Sequence, residues 1–247
     1  MKVGLLTSGG DCQGLNAVLR GVAKTLYGSI KNLELYGIAD GYRGLIDGEW
    51  RKMGPEEFSG ILRLGGTILG TSRQPYKEMQ TLNENNTSKL NMMMKNYKQF
   101  GFDALVILGG NGTHKTAYLL SQNGANVVTI PKTIDNDVYG TDLTFGFDSA
   151  LERATFVIDA IHTTAASHGR VFVIELMGHK AGWITLGAGI AGGADVILIP
   201  EVPYDPEQVL KAIATRNNQG KNFSIVAIAE GAVTKEEGML KKRMRND

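Results

Sequence analysis

Short apolar runs that stop in glycine and restart as helix-periodic sequence recur along this chain, and no other feature narrows the possible fold as much. Val3 to Thr7 ends in Ser8-Gly9-Gly10-Asp11, after which Leu15, Val18, Leu19, Val22 and Leu26 return at three- and four-residue steps, the spacing of one face of an amphipathic helix. Leu105 to Leu108 runs into Gly109-Gly110-Asn111-Gly112-Thr113 and then a helical stretch from His114 to about Gln122. Strand, glycine loop, helix is the opening unit of a doubly wound sheet. Glycine is abundant for the same reason: 32 of 247 residues, against a typical share of roughly 7%. Further clusters stand at Leu64-Gly65-Gly66 and Ala191-Gly192-Gly193, again at the ends of apolar runs.

Downstream the alternation continues. Asn126 to Ile130 reads as a buried strand leading into a loop that begins at Pro131. Phe147, Ala150, Leu151, Ala154, Val157, Ile158, Ile161 and Ala165 mark a helix of about twenty residues. Strands are expected at Val171 to Leu176, Val196 to Ile199 and Phe223 to Ala229, with a helix over Pro206 to Asn217. The expectation is an α/β protein of mainly parallel sheets with right-handed crossovers, in two lobes, 1–138 and 139–247. Residues 234–247 read as a polar tail with no helix to cover the last strand, so the fold looks unfinished at its C-terminal end.

Lys and Arg together number 26 against 25 Asp and Glu, which argues against nucleic acid or an anionic membrane as the main partner. Any phosphate binding must come from local geometry. The single cysteine, Cys12, rules out an intramolecular disulfide framework and suits a reducing compartment. No apolar run reaches bilayer-spanning length, so a cytoplasmic protein is expected.

Bare backbone N–H groups beside a helix N-terminus form an anion site. The loop Gly109–Thr113 fits best, with Thr113 expected to cap the helix. A lone loop of this kind is more often a simple turn; its near-copy at Gly9-Gly10-Asp11 favours phosphate. Neither loop has the Walker or Gly-x-Gly-x-x-Gly pattern. Thr133-Ile134-Asp135-Asn136-Asp137 sets two carboxylates two residues apart. One can accept a hydroxyl proton while the other holds a cation. By composition alone the segment fits an Asx-rich turn equally well. Arg73 and Arg170 suit bidentate phosphate contact, although either alone reads more readily as a surface charge or a local salt bridge. The four histidines lack metal-ligand spacing, and Met92–Met94 read as core filler.

In order along the chain stand Gly9-Gly10-Asp11, Gly14, Asn16, Asp40-Gly41-Tyr42, Gly70-Thr71-Ser72-Arg73, Gly109–Thr113, Pro131–Asp137, Gly146-Phe147 and Ser167–Arg170. Glu175–Gly178, Pro200-Glu201-Val202 and Ala229-Glu230-Gly231 follow. This series resembles the phosphofructokinase A family over almost the whole chain. The resemblance implies a donor-binding lobe in 1–138, a sugar-phosphate lobe in 139–247, and phosphoryl transfer to the 1-hydroxyl of fructose 6-phosphate. It casts Asp135 as the base, Thr133 as a contact to the moving phosphoryl group, and Asp137 as an aid to magnesium. Gly10, Gln74, Gly110, Asn111, Gly112 and Thr113 would hold the donor, with Asn111 on Mg2+ and Arg73 bridging donor and acceptor. Ile134, Met177, Gly178, His179 and Glu230 would line the sugar site. Arg170 would reach a neighbouring subunit's 6-phosphate in a homodimer or homotetramer.

The resemblance implies ATP as the donor through Gly112, since in this family a glycine there leaves room for the nucleotide and an Asp belongs with pyrophosphate users. Lys132 is the residue type common among pyrophosphate users. The sequence departs from the family pattern at Asn111, where Asp is usual, and at His179, where Arg is usual. It also stops before the family's C-terminal sugar-phosphate loop. Lys132 keeps a pyrophosphate-dependent enzyme as one alternative, and those departures motivate another, a truncated, silent ligand-binding subunit.

Overall fold

The computed structural model describes residues 1–84 and 86–243, and the chain divides into two compact units. The first is Met1–Thr133 with Val138–Gly146; the second is Ile134–Asp137 with the chain from Phe147 onward.

In the first unit β1 (Lys2–Thr7), α1 (Leu15–Ser29), β2 (Glu34–Ile38), α2 (Tyr42–Asp47) and β3 (Trp50–Lys52) are followed by α3 (Lys89–Phe100), β4 (Ala104–Gly109), α4 (Asn111–Gln122), β5 (Val127–Thr133) and β6 (Phe145–Gly146). The strands form one sheet in the order β3-β2-β1-β4-β5-β6, parallel throughout except for the β2–β3 pair. The central strands β1 and β4 are apolar and buried almost end to end, as strands covered on both faces must be. Strand order reverses between β1 and β4, and the crevice beyond the carboxyl ends of such a pair is where open α/β sheets bind ligands. On one face Leu6, Ile38, Leu105 and Ile107 meet Tyr42 of α2, Met93 and Tyr97 of α3 and Leu120 of α4.

The second unit runs α5 (Phe147–His168), β7 (Val171–Leu176), α6 (Trp183–Ala191), β8 (Val196–Leu198), α7 (Pro206–Asn218), β9 (Ser224–Ala229) and α8 (Lys235–Arg243). Its three strands are parallel in the order β7-β9-β8. Ile158 of α5, Ile184 and Ala188 of α6, and Ile225 and Ala227 of β9 form the core, with Ile134 packed against it. At α7, Asp205 accepts the Glu207 N–H at 3.0 Å and Pro206 opens the helix, the usual chemistry of an N-terminus.

The structure corrects the sequence reading in four places. Pro131, Lys132 and Thr133 are not loop but the end of β5, because Gly109 pairs with Pro131 and β6 takes over at Lys132 and Thr133. Thr113 does not cap α4: Gly110 holds the cap position and Thr113 sits buried in the first turn. Gly192-Gly193 follows a helix, not a strand, and Gly65-Gly66 follows a single 3-10 turn. A helix does follow the last strand. Thr234 and Glu237 form a reciprocal capping box, with Glu237 Oε2 accepting the Thr234 N–H at 2.9 Å and Thr234 Oγ1 accepting the Glu237 N–H at 3.2 Å. The Thr-Lys-Glu-Glu spacing that announces this outweighs the polarity that suggested a tail; residues 244–247 of that tail lie outside the described residues.

Candidate active site

Thr7 and Leu108 are register partners, so β1 and β4 end at one level, and Ser8 N–H donates to the Leu108 carbonyl at 2.8 Å. Each strand then opens into glycine, Gly9-Gly10 beside Gly109-Gly110. The Gly70–Arg73 segment is fastened to the first of these. Gly9 N–H donates to the Ser72 carbonyl at 3.1 Å, Thr71 Oγ1 to the Gly9 carbonyl at 2.7 Å, and Thr7 Oγ1 to the Gly70 carbonyl at 2.8 Å. Ser72 Oγ donates to the Asp40 carbonyl at 2.6 Å. These bonds deliver Arg73 to the glycine loop: a methyl group on Gly10 would stand 3.4 Å from its Nη2. The neighbouring Gln74 accepts at Oε1 from Lys89 Nζ at 2.9 Å.

Gly110, Asn111, Gly112 and Thr113 form the start of α4, where helix N–H groups lack intrahelical acceptors and the dipole favours negative charge. Gly109 must be glycine, because a methyl group there would lie 2.4 Å from the Thr113 side chain. Gly112 is the opposite case: a methyl group would meet no described atom within 4 Å.

Lys132 is buried, with 4% of its surface exposed, and its Nζ donates to the Gly10 carbonyl. A buried ammonium demands such polar partners. It lies 3.6 Å from where a Gly9 methyl would be, so a fixed positive charge underlies the loop after β1. Burial pushes the Cys12 thiol from 9.0 up to about 11 despite the opposing pull of Lys132, so Cys12 is no nucleophile at neutral pH. Thr133 closes β5, its carbonyl accepting from Thr144 Oγ1 at 2.7 Å.

In the second unit Ile134 is anchored in the core, Asp135 is half-buried and Asp137 is exposed. Between the two carboxylates Asn136 has φ 52°, left-handed backbone that Asn tolerates better than most residues. Met177, Gly178 and His179 begin the loop between β7 and α6. Glu230 Oε1, at the end of β9, accepts Gly178 N–H at 3.0 Å and His179 N–H at 2.6 Å. Glu201 holds the loop's other end, accepting Gly182 N–H at 2.8 Å. Arg170 is exposed beyond the end of α5.

Among the described residues no group of three or more His, Cys, Asp or Glu side chains is placed to hold a metal ion.

A family profile described as phosphofructokinase matches residues 2–246. The chain belongs to the phosphofructokinase family. It is 55% identical over 242 residues to the ATP-dependent 6-phosphofructokinase of Spirochaeta thermophila, covering 97% of this chain and 66% of that protein. To the ATP-dependent 6-phosphofructokinase of Propionibacterium freudenreichii it is 53% identical, covering 94% and 62%. The chain therefore spans a little under two thirds of the length of these relatives. Its fold matches the solved structure of phosphofructokinase from Saccharomyces cerevisiae at TM-score 0.83 and 33% identity, over 95% of this chain and 34% of that one. No helix among the described residues is long and apolar enough to cross a membrane.

Three residues that shape the glycine turns and loops were given no individual role by the sequence. Tyr42 Oη donates to the Thr113 carbonyl at 2.8 Å, His114 Nε2 lies 2.9 Å from the Gly109 carbonyl, and Glu201 anchors Gly182. All three act on main-chain atoms remote in sequence or folded back by a turn, which composition does not reveal.

Proposed function

We propose that this phosphofructokinase transfers the terminal phosphoryl group of ATP to the 1-hydroxyl of fructose 6-phosphate, giving fructose 1,6-bisphosphate. The observation that carries the proposal is Gly112. It lies in the first turn of α4, and a methyl group in its place would meet nothing described within 4 Å. A position left open at a helix N-terminus admits a bulky phosphorylated donor. The names of the relatives, ATP-dependent 6-phosphofructokinase, support the same donor.

In this reading residues 1–138 bind the donor and residues 139–247 belong to the sugar-phosphate side. The first-turn N–H groups of α4, with Gly10, hold the donor phosphates, and Gln74 contributes from the Arg73 segment. Arg73 bridges donor and acceptor phosphates as charge develops, where a fixed cation counts most. Asp135 accepts the proton of the 1-hydroxyl as that oxygen attacks, the role of the acidic residue in phosphoryl-transfer sites generally. Thr133 contacts the moving phosphoryl group, and Asp137 and Asn111 serve the cation. Mg2+, when bound with ATP, neutralises and orients the phosphates. Ile134, Met177, Gly178, His179 and Glu230 shape the sugar site. Arg170 serves the 6-phosphate across a subunit boundary, so the working form is a cytoplasmic homodimer or homotetramer.

Lys132 supports a second reading, because a buried ammonium bonded to the Gly10 carbonyl suits a compact pyrophosphate donor. Assaying the purified full-length protein with fructose 6-phosphate and each donor separates them. Turnover with ATP and Mg2+ is expected; turnover with pyrophosphate alone overturns the ATP assignment, and none with either donor overturns the kinase assignment.

A further inference from the structure

We infer that His114 is a positioning residue that locks the Gly109–Gly110 peptide in the orientation the donor phosphates need. The inference rests on reading the β4–α4 turn as the donor cradle. His114 lies in the first turn of α4, its N–H donating to the Gly110 carbonyl at 3.0 Å, and its half-buried ring folds back so that Nε2 stands 2.9 Å from the Gly109 carbonyl oxygen. A carbonyl only accepts, so Nε2 carries the proton. Burial holds the imidazole's pKa below its usual value, in keeping with a neutral ring at this tautomer.

A trans peptide is planar, with its C=O and the following N–H pointing in opposite directions. Fixing the Gly109 carbonyl therefore fixes the Gly110 N–H on the far side of the same plane, away from His114. This peptide joins two glycines, and with no Cβ on either flank it meets the least steric resistance to flipping. A flipped peptide would present a carbonyl oxygen where an anion requires a donor. Stiffening by substitution is closed off at Gly109, where a methyl group would lie 2.4 Å from Thr113. Rigidity has to come from outside the peptide: the pairing of Gly109 with Pro131 restrains it from the sheet side, and His114 restrains it from the helix side. Tyr42 Oη restrains the turn further along, at the Thr113 carbonyl, 2.8 Å away.

The test compares His114→Leu, His114→Ala and His114→Gln in the full-length protein, measuring steady-state constants for donor and sugar phosphate and MgATP affinity by titration calorimetry. Gln can place an N–H near the same carbonyl; Leu and Ala cannot. Loss of the clamp is expected to weaken donor binding and raise the donor KM about tenfold, with the sugar-phosphate KM unchanged and Gln restoring most of the difference. Equal donor affinity in wild type and in whichever of the Leu and Ala variants folds overturns the clamp while leaving the kinase assignment intact. Wild type that binds MgATP without turnover overturns the kinase assignment, and the calorimetric comparison still decides the clamp. Wild type that binds no MgATP overturns the ATP assignment and the clamp with it.

Discussion

Glu230 accepts the main-chain N–H of His179 at 2.6 Å, and by this bond a non-glycine residue is held at φ 53°, in left-handed backbone. The same oxygen takes Gly178 N–H, so one carboxylate sets two consecutive peptides of the β7–α6 loop.

Gly178 is the weak point of that loop. Its φ is 152° and a β-carbon there would lie 2.4 Å from the Ala181 carbonyl. Gly178→Ala is expected to destabilise the protein by ~2 kcal/mol or more, seen as a lower denaturation midpoint, and to raise the sugar-phosphate KM. An unchanged midpoint would mean the loop relaxes around the methyl group.

Gly112→Asp separates stability from donor use. A carboxylate in the first turn of α4 complements the helix dipole by ~0.5 kcal/mol, and the site has room for it. The thermal midpoint should hold or rise. The KM for ATP should increase by about a hundredfold, since like charges then face each other across a few ångströms. A variant with unaltered ATP kinetics removes Gly112 from the donor site.

Cys12 should be slow to alkylate. With its pKa raised to about 11, the native thiol at pH 8 reacts roughly a hundredfold more slowly than in the unfolded chain. The same shift has a stability sign. The folded thiol keeps its proton longer than the unfolded one, so above the ordinary value of 9.0 stability falls with rising pH, levelling off beyond about 11. The loss is at most ~3 kcal/mol. Denaturant titrations of wild type and Cys12→Ala at pH 8 and pH 10.5 should show a larger alkaline loss in wild type, over the loss that Tyr42, Tyr27 and Tyr36, whose pKa values are also raised, give to both.

Thr185 Oγ1, buried in α6, has no hydrogen-bond partner among the described residues. Thr185→Val preserves its shape and removes the orphaned hydroxyl, so a gain of ~1 kcal/mol is expected in guanidinium unfolding. A loss of similar size would reveal a partner for the hydroxyl.

Much of this was legible before any coordinates. The apolar runs ending at Ser8 and Gly109, and the helical periodicity after them, are local signals, and β1, β4, α1, α4 and α5 formed where they pointed. The ordered motifs through Glu230 identified the family that the profile match then established. Boundaries that depend on a partner strand were not legible. Pro131–Thr133 reads as loop until β4 and β6 are seen to pair with it.

Local covalent character, such as which residue is glycine, which can accept a proton and which face of a helix is apolar, is written in one dimension. The sequence by itself therefore determined the fold class, the glycine turns and the candidate roles of Asp135 and Arg73. Only the tertiary structure decided what each polar group is bonded to: Lys132 to Gly10, Gln74 to Lys89, His114 to Gly109 and Glu230 to Gly178 and His179. The physical reason is that a hydrogen bond depends on distance and direction to within a few tenths of an ångström. Those quantities exist only after distant segments have packed.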